Sequence, residues 1–285
     1  MVTFQGKRWH NRLAQLLPEP YTRAQFSLLD GGMSNYNFCA RVDEQRFFVR
    51  CQSEFSSELG IDRFHEVSCQ QRAAEAGIAP RVLWHCPEHH CLVSEWLSGC
   101  SLGEDPEPVD PVMLAGLVTR LHQLKAPAQH LDLPVRANWY WKNIPDCLKS
   151  PERTVLHRKL LAYCQRVKLV SSTFCHHDLN PNNVMQVEGR LWLVDWEYAA
   201  AGDPAFDLAT ILYTHNCDPA WWQQFLRSYS ELSGPAWESR IEQMIPLLEW
   251  SSWLWAMVMS QGDGAFDCLG YAEQLEHSLR QHQML

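Results

Sequence analysis

The stretch FCHHDLNPNNVMQVEGRLWLVDWE, residues 174–197, places polar residues between two short apolar runs. This pattern predicts a β-hairpin in which residues 184–187 form one arm and residues 190–194 the other. Glu188 and Gly189 lie between the arms, where a two-residue turn is expected. The loop before the first arm and the residue after the second arm should therefore meet at one end of a small sheet.

Three polar side chains are expected at that end of the sheet. Asp178 and Asn183 lie in the loop before the hairpin, and Asp195 directly follows its second arm. Phosphoryl transfer from ATP needs a carboxylate that accepts the proton of an attacking hydroxyl, which predicts Asp178 as the catalytic base. It also needs oxygen ligands that hold Mg2+ against the phosphates, which predicts Asn183 and Asp195 as catalytic metal ligands. The alternative is a turn-rich loop without a site, because Asp, Asn and Pro all favour turns.

Length, composition and charge argue against several classes of protein. The chain has 285 residues, of which 46% are hydrophobic, so it suits one large domain or two lobes that share a cleft. Its net charge is −9 and it has no run of Lys or Arg, which argues against a nucleic-acid partner. The acidic balance suits a small cationic substrate. The sequence does not indicate an oligomeric state.

Several features predict a cytoplasmic protein without a membrane partner. The 11 Cys residues are scattered and form no C-x-x-C pair, which favours a reducing compartment. The N-terminal residues contain no apolar core of a signal peptide. The longest apolar region, residues 245–259, contains Pro246 and Glu249 and is too short to span a bilayer.

One short segment offers four possible metal ligands: Cys86, His89, His90 and Cys91. Adjacent His residues and a closing Cys on one tight turn converge poorly on a tetrahedral ion. We interpret the segment as a turn between two strands, and zinc binding is the alternative.

A glycine pair lies between two predicted strands near the N-terminus. Gly32, Ser34 and Asn35 belong to the segment DGGMSN, residues 30–35. Backbone N–H groups of such a segment can contact phosphate oxygens, which predicts that these residues bind the nucleotide. The alternative is an ordinary hairpin turn, which a Gly-Gly pair also favours.

A possible phosphate clamp follows. Arg50 ends the third predicted strand, and Glu66 lies on a helix predicted over residues 61–76. In kinase-like sites a basic residue on this strand binds the α- and β-phosphates and pairs with a Glu on the next helix. We expect Arg50 and Glu66 to form this pair, and solvent-exposed charges are the alternative.

A change in composition marks the boundary between two predicted lobes. The segment Glu95-Trp96-Leu97 is followed by polar, Pro-rich sequence. We expect a hinge here, between an N-terminal nucleotide-binding lobe over residues 1–97 and a helical lobe over residues 98–285 that carries the catalytic loop and the acceptor pocket. Because adenine commonly lies against the backbone of such a hinge, Glu95, Trp96 and Leu97 are predicted nucleotide contacts.

The C-terminal part is predicted to be helical, apart from a loop-rich segment over residues 126–150. One helix begins at Asp203-Pro204, and Asp207 lies four residues into it. We expect Asp207 to brace the catalytic loop by accepting its backbone N–H groups. The alternative is a first-turn carboxylate that the helix dipole favours.

A later helix carries an aromatic pattern. Trp250 and Trp253 share one face, while Trp255 points elsewhere. Aromatic rings attract cations over their faces, and a quaternary ammonium group suits them because it is weakly hydrated. The alternative is a Trp-rich core helix, since aromatic stripes mostly mark packing.

These motifs, in this order and spacing, resemble the aminoglycoside phosphotransferase / choline kinase superfamily. An Arg in place of Lys on the third strand, the segment DWEY and the late W-x-x-W resemble bacterial choline kinases and thiamine kinase. The matching pieces are GGMSN (31–35), FFVR (47–50), Glu66, GIAP (77–80), EWLSG (95–99), Leu121-His122, CHHDLNPNN (175–183) and LVDWEY (193–198). The resemblance implies an α+β, protein-kinase-like bilobal fold. Its N-lobe is a small, mostly antiparallel β-sheet with one main helix, and its C-lobe is larger and helical.

The resemblance also implies roles for single residues. ATP is the expected co-substrate and Mg2+ the expected cofactor, with His176 and Asp207 supporting the catalytic loop. Two departures are visible: His177 stands where a smaller residue such as Asn is frequent, and the glycine loop lacks a full G-x-G-x-x-G. The expected substrate contacts are Asp178, Glu197, Trp250 and Trp253.

The sequence thus predicts an ATP- and Mg2+-dependent kinase that phosphorylates the hydroxyl group of a small molecule. The Trp pair and the acidic chain favour an alcohol with a quaternary nitrogen, such as choline or thiamine. An aminoglycoside or sugar kinase is the alternative, because acidic residues late in the chain also suit polyhydroxylated amines. A more remote alternative is an inactive nucleotide-binding regulator, which the complete set of catalytic residues opposes.

Overall fold

The N-terminal part of the chain forms a five-stranded antiparallel sheet in the computed structural model, which describes residues 12–29, 35–53, 58–105, 107–229, 235–262 and 266–282. The strands of the sheet are β1 (Gln25–Leu28), β2 (Asn35–Val42), β3 (Gln45–Gln52), β4 (Val82–Cys86) and β5 (Cys91–Glu95). Their order in the sheet is β1-β2-β3-β5-β4. Phe38, Val49 and Val93 lie in one buried apolar cluster, because alternate side chains of a strand share a face.

Helix α1 (Arg63–Glu75) follows β3 and contacts β4. It begins at Asp62, whose carboxylate accepts the backbone N–H groups of Phe64 and His65 and so satisfies two donors of the first turn. It ends before Gly77, whose φ of +68° is a conformation that glycine adopts without steric penalty. The main helix expected in this part of the chain is therefore present.

Five short strands form a second, three-stranded sheet and a separate strand pair. Strand β8 (Val184–Val187) and strand β9 (Arg190–Leu193) pair with Val184 opposite Leu193, and the turn between them contains Glu188 and Gly189 at positive φ. The predicted hairpin is confirmed, with the second arm one residue shorter than expected. The short strands of this region are β6 (Cys100–Ser101), β7 (Thr173–Cys175), β8 (Val184–Val187), β9 (Arg190–Leu193) and β10 (Ala200–Gly202). Strand β6 extends the hairpin, whereas β7 pairs with β10.

The C-terminal part is helical, and its apolar core also includes Cys69 and Ala73 of helix α1. Trp196, Trp250 and Trp253 are fully buried there in one apolar cluster. The helices are α2 (Pro111–His122), α3 (Leu133–Asn143), α4 (Pro151–Val167), α5 (Pro204–Thr214), α6 (Pro219–Tyr229), α7 (Pro235–Met259) and α8 (Cys268–Gln281). Within the described ranges, no helix is long and apolar enough to cross a membrane. The lobe boundary between residues 97 and 98 stays a prediction.

The expectation of a loop-rich segment over residues 126–150 is wrong in its middle, where helix α3 forms. Asp132 caps this helix by accepting the N–H of Val135, and a proline stands in its first turn. Ala137 and Tyr140 bury its inner face against the C-terminal core. The aromatic residues at 139–141 have modest helix propensity, and burial outweighs that preference.

The segment Cys86–Cys91 is a turn between β4 and β5, as expected, with His90 at positive φ. Cys86 bonds to Glu88, and Cys91 packs against Cys51 of β3. Among the described residues, the group of potential ligands that lies close enough to share an ion is a different one, His122, Cys175 and Asp207.

Candidate active site

A buried carboxylate accepts hydrogen bonds from the backbone of the loop between β7 and β8. Asp207, in the first turn of α5, accepts the backbone N–H groups of His176 (2.8 Å) and His177 (2.7 Å). His122 Nε2 lies 3.0 Å from the same carboxylate. Burial would raise the pKa of Asp207, but the His122 hydrogen bond and nearby His residues hold it below its ordinary value. The contact expected of Asp207 is therefore present.

Two neutral histidines connect this loop to the segment after the hairpin. His176 Nε2 donates to the carbonyl oxygen of Val194 (3.0 Å), the residue before Asp195. His177 Nδ1 lies 3.1 Å from the carbonyl oxygen of Tyr198. Burial lowers the pKa of His177 to about 4 and also lowers that of His176, so both rings are uncharged near neutral pH. The His176 contact therefore holds the loop that carries Asp178 and Asn183 close to the segment that carries Asp195.

Asp178 is oriented by two asparagines. Its carboxylate oxygens accept the side-chain N–H groups of Asn180 (2.8 Å) and Asn183 (2.7 Å). Burial raises the pKa of Asp178 to about 6, with a further upward contribution from Glu197 and opposing hydrogen bonds from the asparagines. A carboxylate with a pKa near neutrality is suited to accept a proton. Asn180 was not predicted, although an Asn two residues after an Asp is a common side-chain hydrogen-bond partner.

The oxygen donors present fit a divalent cation. Asn183 uses its amide nitrogen on Asp178, which leaves its amide oxygen as a ligand atom. Asp195 follows β9 at a φ of +62° and lies 3.2 Å from Arg50. Burial, and then the charge of Glu197, raise the pKa of Asp195 well above its ordinary value, so a bound cation would stabilise the ionised form. Amide and carboxylate oxygens are the ligands that Mg2+ prefers.

The expected pair of Arg50 and Glu66 is present as a buried ion pair. Both side chains are almost fully buried, and Arg50 also bonds to Asp195 Oδ1 (3.2 Å). Arg50 therefore connects helix α1 to the segment after the hairpin. Burial opposes its charge, but Glu66, Asp195 and Glu197 together raise the pKa of Arg50, which keeps it cationic.

A second arginine, which sequence reasoning missed, completes this network. Arg63 Nη1 lies 2.8 Å from Glu66 and 3.1 Å from Glu197. Its Nη2 donates to Asn35 Oδ1 (3.0 Å), and Asn35 Nδ2 donates to Glu197 (3.0 Å). The spacing of Arg63 and Glu66, three residues apart on one helix face, was the available indication. Asn35 and Glu197 both lie at the site, whereas Gly32 and Ser34 lie outside the described residues.

One cleft of about 1350 Å3 is lined by most of these polar side chains: Asn35, Arg50, His177, Asp178, Asn180, Asn183, Asp195 and Glu197. The predicted hinge residues Glu95, Trp96 and Leu97 also line it. Glu95 also forms an exposed ion pair with Arg81, and the guanidinium of Arg46 lies 5.1 Å from the ring of Trp96. The hinge therefore borders the same cleft as Asp178 and Asp195.

The prediction that Trp250 and Trp253 contact a substrate is wrong, because both side chains lie in the core. Both side chains are 0% exposed and neither lines the cleft. Trp250 Nε1 donates a hydrogen bond to His157 (3.2 Å), and Trp253 packs against Trp141, whose ring stacks on His157. Their shared face packs into the core, and the helical rotation of 100° per residue turns Trp255 to the cleft instead.

The sequence model of the phosphotransferase enzyme family matches residues 25–242, a range that contains every polar residue described above. The chain belongs to this family. Protein LicA of Haemophilus influenzae is 50% identical over 200 residues, which cover 64% of this chain and 56% of that protein. Thiamine kinase of Salmonella paratyphi B is 28% identical over 139 residues, covering 48% of this chain and 47% of that protein. The chain thus spans about half the length of these curated relatives.

Solved structures of phosphotransferases confirm the protein-kinase-like fold. The crystal structure of choline kinase LicA from Streptococcus pneumoniae superposes with a TM-score of 0.81 at 20% identity, covering 98% of this chain and 100% of that one. Aminoglycoside phosphotransferase APH(4)-Ia, in a complex with ADP and hygromycin B, gives a TM-score of 0.67 at 16% identity, covering 95% and 99%. The resemblance inferred from the motifs is therefore correct at the level of family and fold.

Proposed function

We propose that this phosphotransferase moves the γ-phosphoryl group of ATP to the hydroxyl group of a small-molecule alcohol. The observation that carries the proposal is the position of Asp178 in one cleft with Asn183, Asp195 and Arg50, whose guanidinium pairs with the buried Glu66. Phosphoryl transfer depends mainly on positioning and on charge stabilisation, and these residues supply both. The LicA structure with AMP and the APH(4)-Ia structure with ADP support a nucleotide as co-substrate.

Each residue then has a chemical role. Asp178 orients the acceptor hydroxyl and accepts its proton as the new P–O bond forms. The bond between the γ-phosphorus and the β–γ bridging oxygen breaks in line, and ADP leaves. Arg50 contacts the phosphates while Glu66 fixes its orientation. Mg2+, when bound by Asn183 and Asp195, supplies positive charge to the phosphate oxygens.

Aromatic side chains line the cleft that contains Asp178, among them Tyr140, Tyr198, Tyr213, Trp255 and Tyr271. This aromatic lining favours an alcohol with a quaternary nitrogen, such as choline or thiamine, as the acceptor. The interaction between a weakly hydrated cation and the face of one aromatic ring contributes about 0.5–2 kcal/mol to binding, and it is stronger where the cation is desolvated. The similarity to LicA and thiamine kinase points to the same class of acceptor. Trp255 thus takes the role expected of Trp250 and Trp253.

An aminoglycoside or sugar kinase is the second candidate. Asp218, Glu104 and Glu107 also line the cleft, and carboxylates suit the primary ammonium groups of such acceptors. Streptomycin 6-kinase of Streptomyces griseus is 33% identical over 140 residues, which cover 47% of this chain and 46% of that protein, and this similarity supports the same alternative. An inactive regulator is disfavoured, because the base, both metal ligands and the phosphate clamp are all in place.

A coupled ADP-release assay with Mg-ATP tests the function and the acceptor class. The acceptors are choline, ethanolamine, thiamine, a hexose and an aminoglycoside. We expect turnover with choline or thiamine, and a rise of about tenfold in the acceptor KM for Trp255→Leu. Trp139→Leu is the matched control, because Trp139 is 44% exposed and lies outside the cleft. Turnover with the aminoglycoside or hexose alone would contradict the acceptor assignment, and no turnover with any acceptor would contradict the activity.

A further inference from the structure

Arg63 occupies an unusual position for a charged residue at the start of a helix. Its side chain is 8% exposed, and its guanidinium contacts four polar side chains that lie on four different parts of the chain. The partners are Glu66 on the same helix (2.8 Å), Asn35 at the start of β2 (3.0 Å) and Glu197 beyond the hairpin (3.1 Å). Gln52, at the end of β3, lies 3.3 Å from Nε. A surface arginine at a helix start forms no such set of buried contacts.

These partners belong to the segments that surround the proposed nucleotide site. Asn35 is the last residue of the segment DGGMSN that is proposed to contact the phosphates, and the first residue of β2. Glu66 orients Arg50, and Glu197 lies two residues after the proposed metal ligand Asp195. One side chain therefore connects the start of β2, the phosphate clamp and the segment that follows Asp195.

The chemistry of the guanidinium explains why an arginine stands here. Its planar group carries five N–H donors in a fixed fork, so different donors can bond to different segments at once. A lysine ammonium is a single compact charge on a flexible chain and cannot reproduce these separate contacts. The network also contains three carboxylates, Glu66, Asp195 and Glu197, which share the guanidinium groups of Arg50 and Arg63. Removal of Arg63 would leave Glu197 to repel Asp195 and Glu66 in a buried site.

We propose that Arg63 is a positioning residue that aligns Asn35 and Glu197, and thereby holds the start of β2 beside the segment that carries the proposed metal ligand Asp195, as Mg-ATP binding requires. This inference rests on the proposed function. It assigns no contact between Arg63 and the substrates, because the guanidinium acts through Asn35, Glu66 and Glu197.

Direct binding of Mg-ATP, measured by calorimetry without an acceptor, tests the inference. We expect Arg63→Lys to weaken Mg-ATP binding by about tenfold, the loss expected for one hydrogen bond to a charged group. Asn35→Ala should weaken binding in the same direction. The double variant should bind no more than about twofold more weakly than Arg63→Lys alone, because both substitutions break the same contact. In kinetics, the KM for Mg-ATP should rise more than the acceptor KM.

Arg153→Lys is the matched control, since Arg153 forms a part-buried ion pair with Glu276 in the C-terminal part. We expect this control to bind Mg-ATP within about twofold of the wild-type protein. Fully additive effects of Arg63→Lys and Asn35→Ala, or wild-type affinity in Arg63→Lys, would overturn the assignment while leaving the proposed function intact. If Arg63→Lys does not fold, Asn35→Ala alone decides, and wild-type affinity in that variant would overturn it. A wild-type protein that binds no Mg-ATP would overturn the proposed function and this inference together.

Discussion

Substitution of Asp207 by Asn tests how the catalytic loop is held. Asp207 accepts two backbone N–H groups of the loop, at 2.8 and 2.7 Å, and a third contact from His122 at 3.0 Å. Asparagine keeps one acceptor oxygen and turns an N–H group toward a backbone N–H. The substitution therefore removes at least one hydrogen bond to a charged group, worth about 1.5–3 kcal/mol, and weakens the others. We expect the free energy of unfolding to fall by about 2–4 kcal/mol.

The same substitution should also slow the reaction, because Asp178 follows the two residues that Asp207 holds. A displacement of a catalytic group by about 1 Å lowers rates by about 100-fold, so kcat of Asp207→Asn should fall by about 10- to 100-fold. The matched control is Asp203→Asn, a buried carboxylate that caps the same helix and bonds to Ala205, Val170 and Arg240. This control should lose stability but keep kcat.

Urea denaturation and steady-state kinetics of both variants provide the measurements. An Asp207→Asn enzyme with wild-type kcat would refute the reasoning that this carboxylate positions the catalytic loop. Equal loss of kcat in both variants would also refute it, because the effect would then follow from general destabilisation.

Two further predictions concern the buried aromatic cluster around His157. Trp253→Ala should lower the free energy of unfolding by about 3–5 kcal/mol, as large-to-small core substitutions do, and leave the acceptor KM of the folded enzyme unchanged. A clear rise in the acceptor KM would contradict this account, because it would indicate that Trp253 contacts the acceptor. Burial lowers the pKa of His157 to about 4 in the folded protein, whereas the unfolded chain has a His pKa of about 6.5. The buried neutral ring therefore contributes its full stability above a pH of about 6.5. This contribution to the free energy of unfolding is lost as pH falls from about 6.5 toward 4. In urea titrations between these pH values, His157→Gln should show a smaller loss of stability with falling pH than the wild type, and an identical slope would contradict this account.

The parts of the site that depend on local sequence were predictable. The hairpin follows from two apolar runs around a two-residue turn, and its geometry fixes where Asp178, Asn183 and Asp195 lie. The start of the helix that carries Asp207 also followed from its own residues, Asp203 and Pro204. In both cases a short segment has a conformation that its own residues strongly favour, whereas the contact of Asp207 with His176 and His177 joins distant parts of the chain.

The parts that depend on tertiary packing were not predictable. The periodicity of Trp250 and Trp253 identifies one face of α7, but it cannot tell whether that face meets the core or the cleft. The segment that forms α3 contains aromatic residues with weak helix preference, and the burial of Tyr140 decides its conformation. In the sequence, Arg63 has the pattern of an ordinary charge on a helix surface. Its contacts with Asn35 and Glu197 exist only in the folded structure.

The central claim is that Asp178 is the base of a phosphoryl transfer, and the rate of acceptor-dependent ADP release by Asp178→Ala tests it most directly. General base catalysis contributes about 10²- to 10⁴-fold, so kcat should fall by about that factor. Calorimetry should still find Mg-ATP binding, and the circular dichroism spectrum should match the wild type. An Asp178→Ala enzyme that releases ADP at the wild-type rate in the presence of the acceptor would contradict the account.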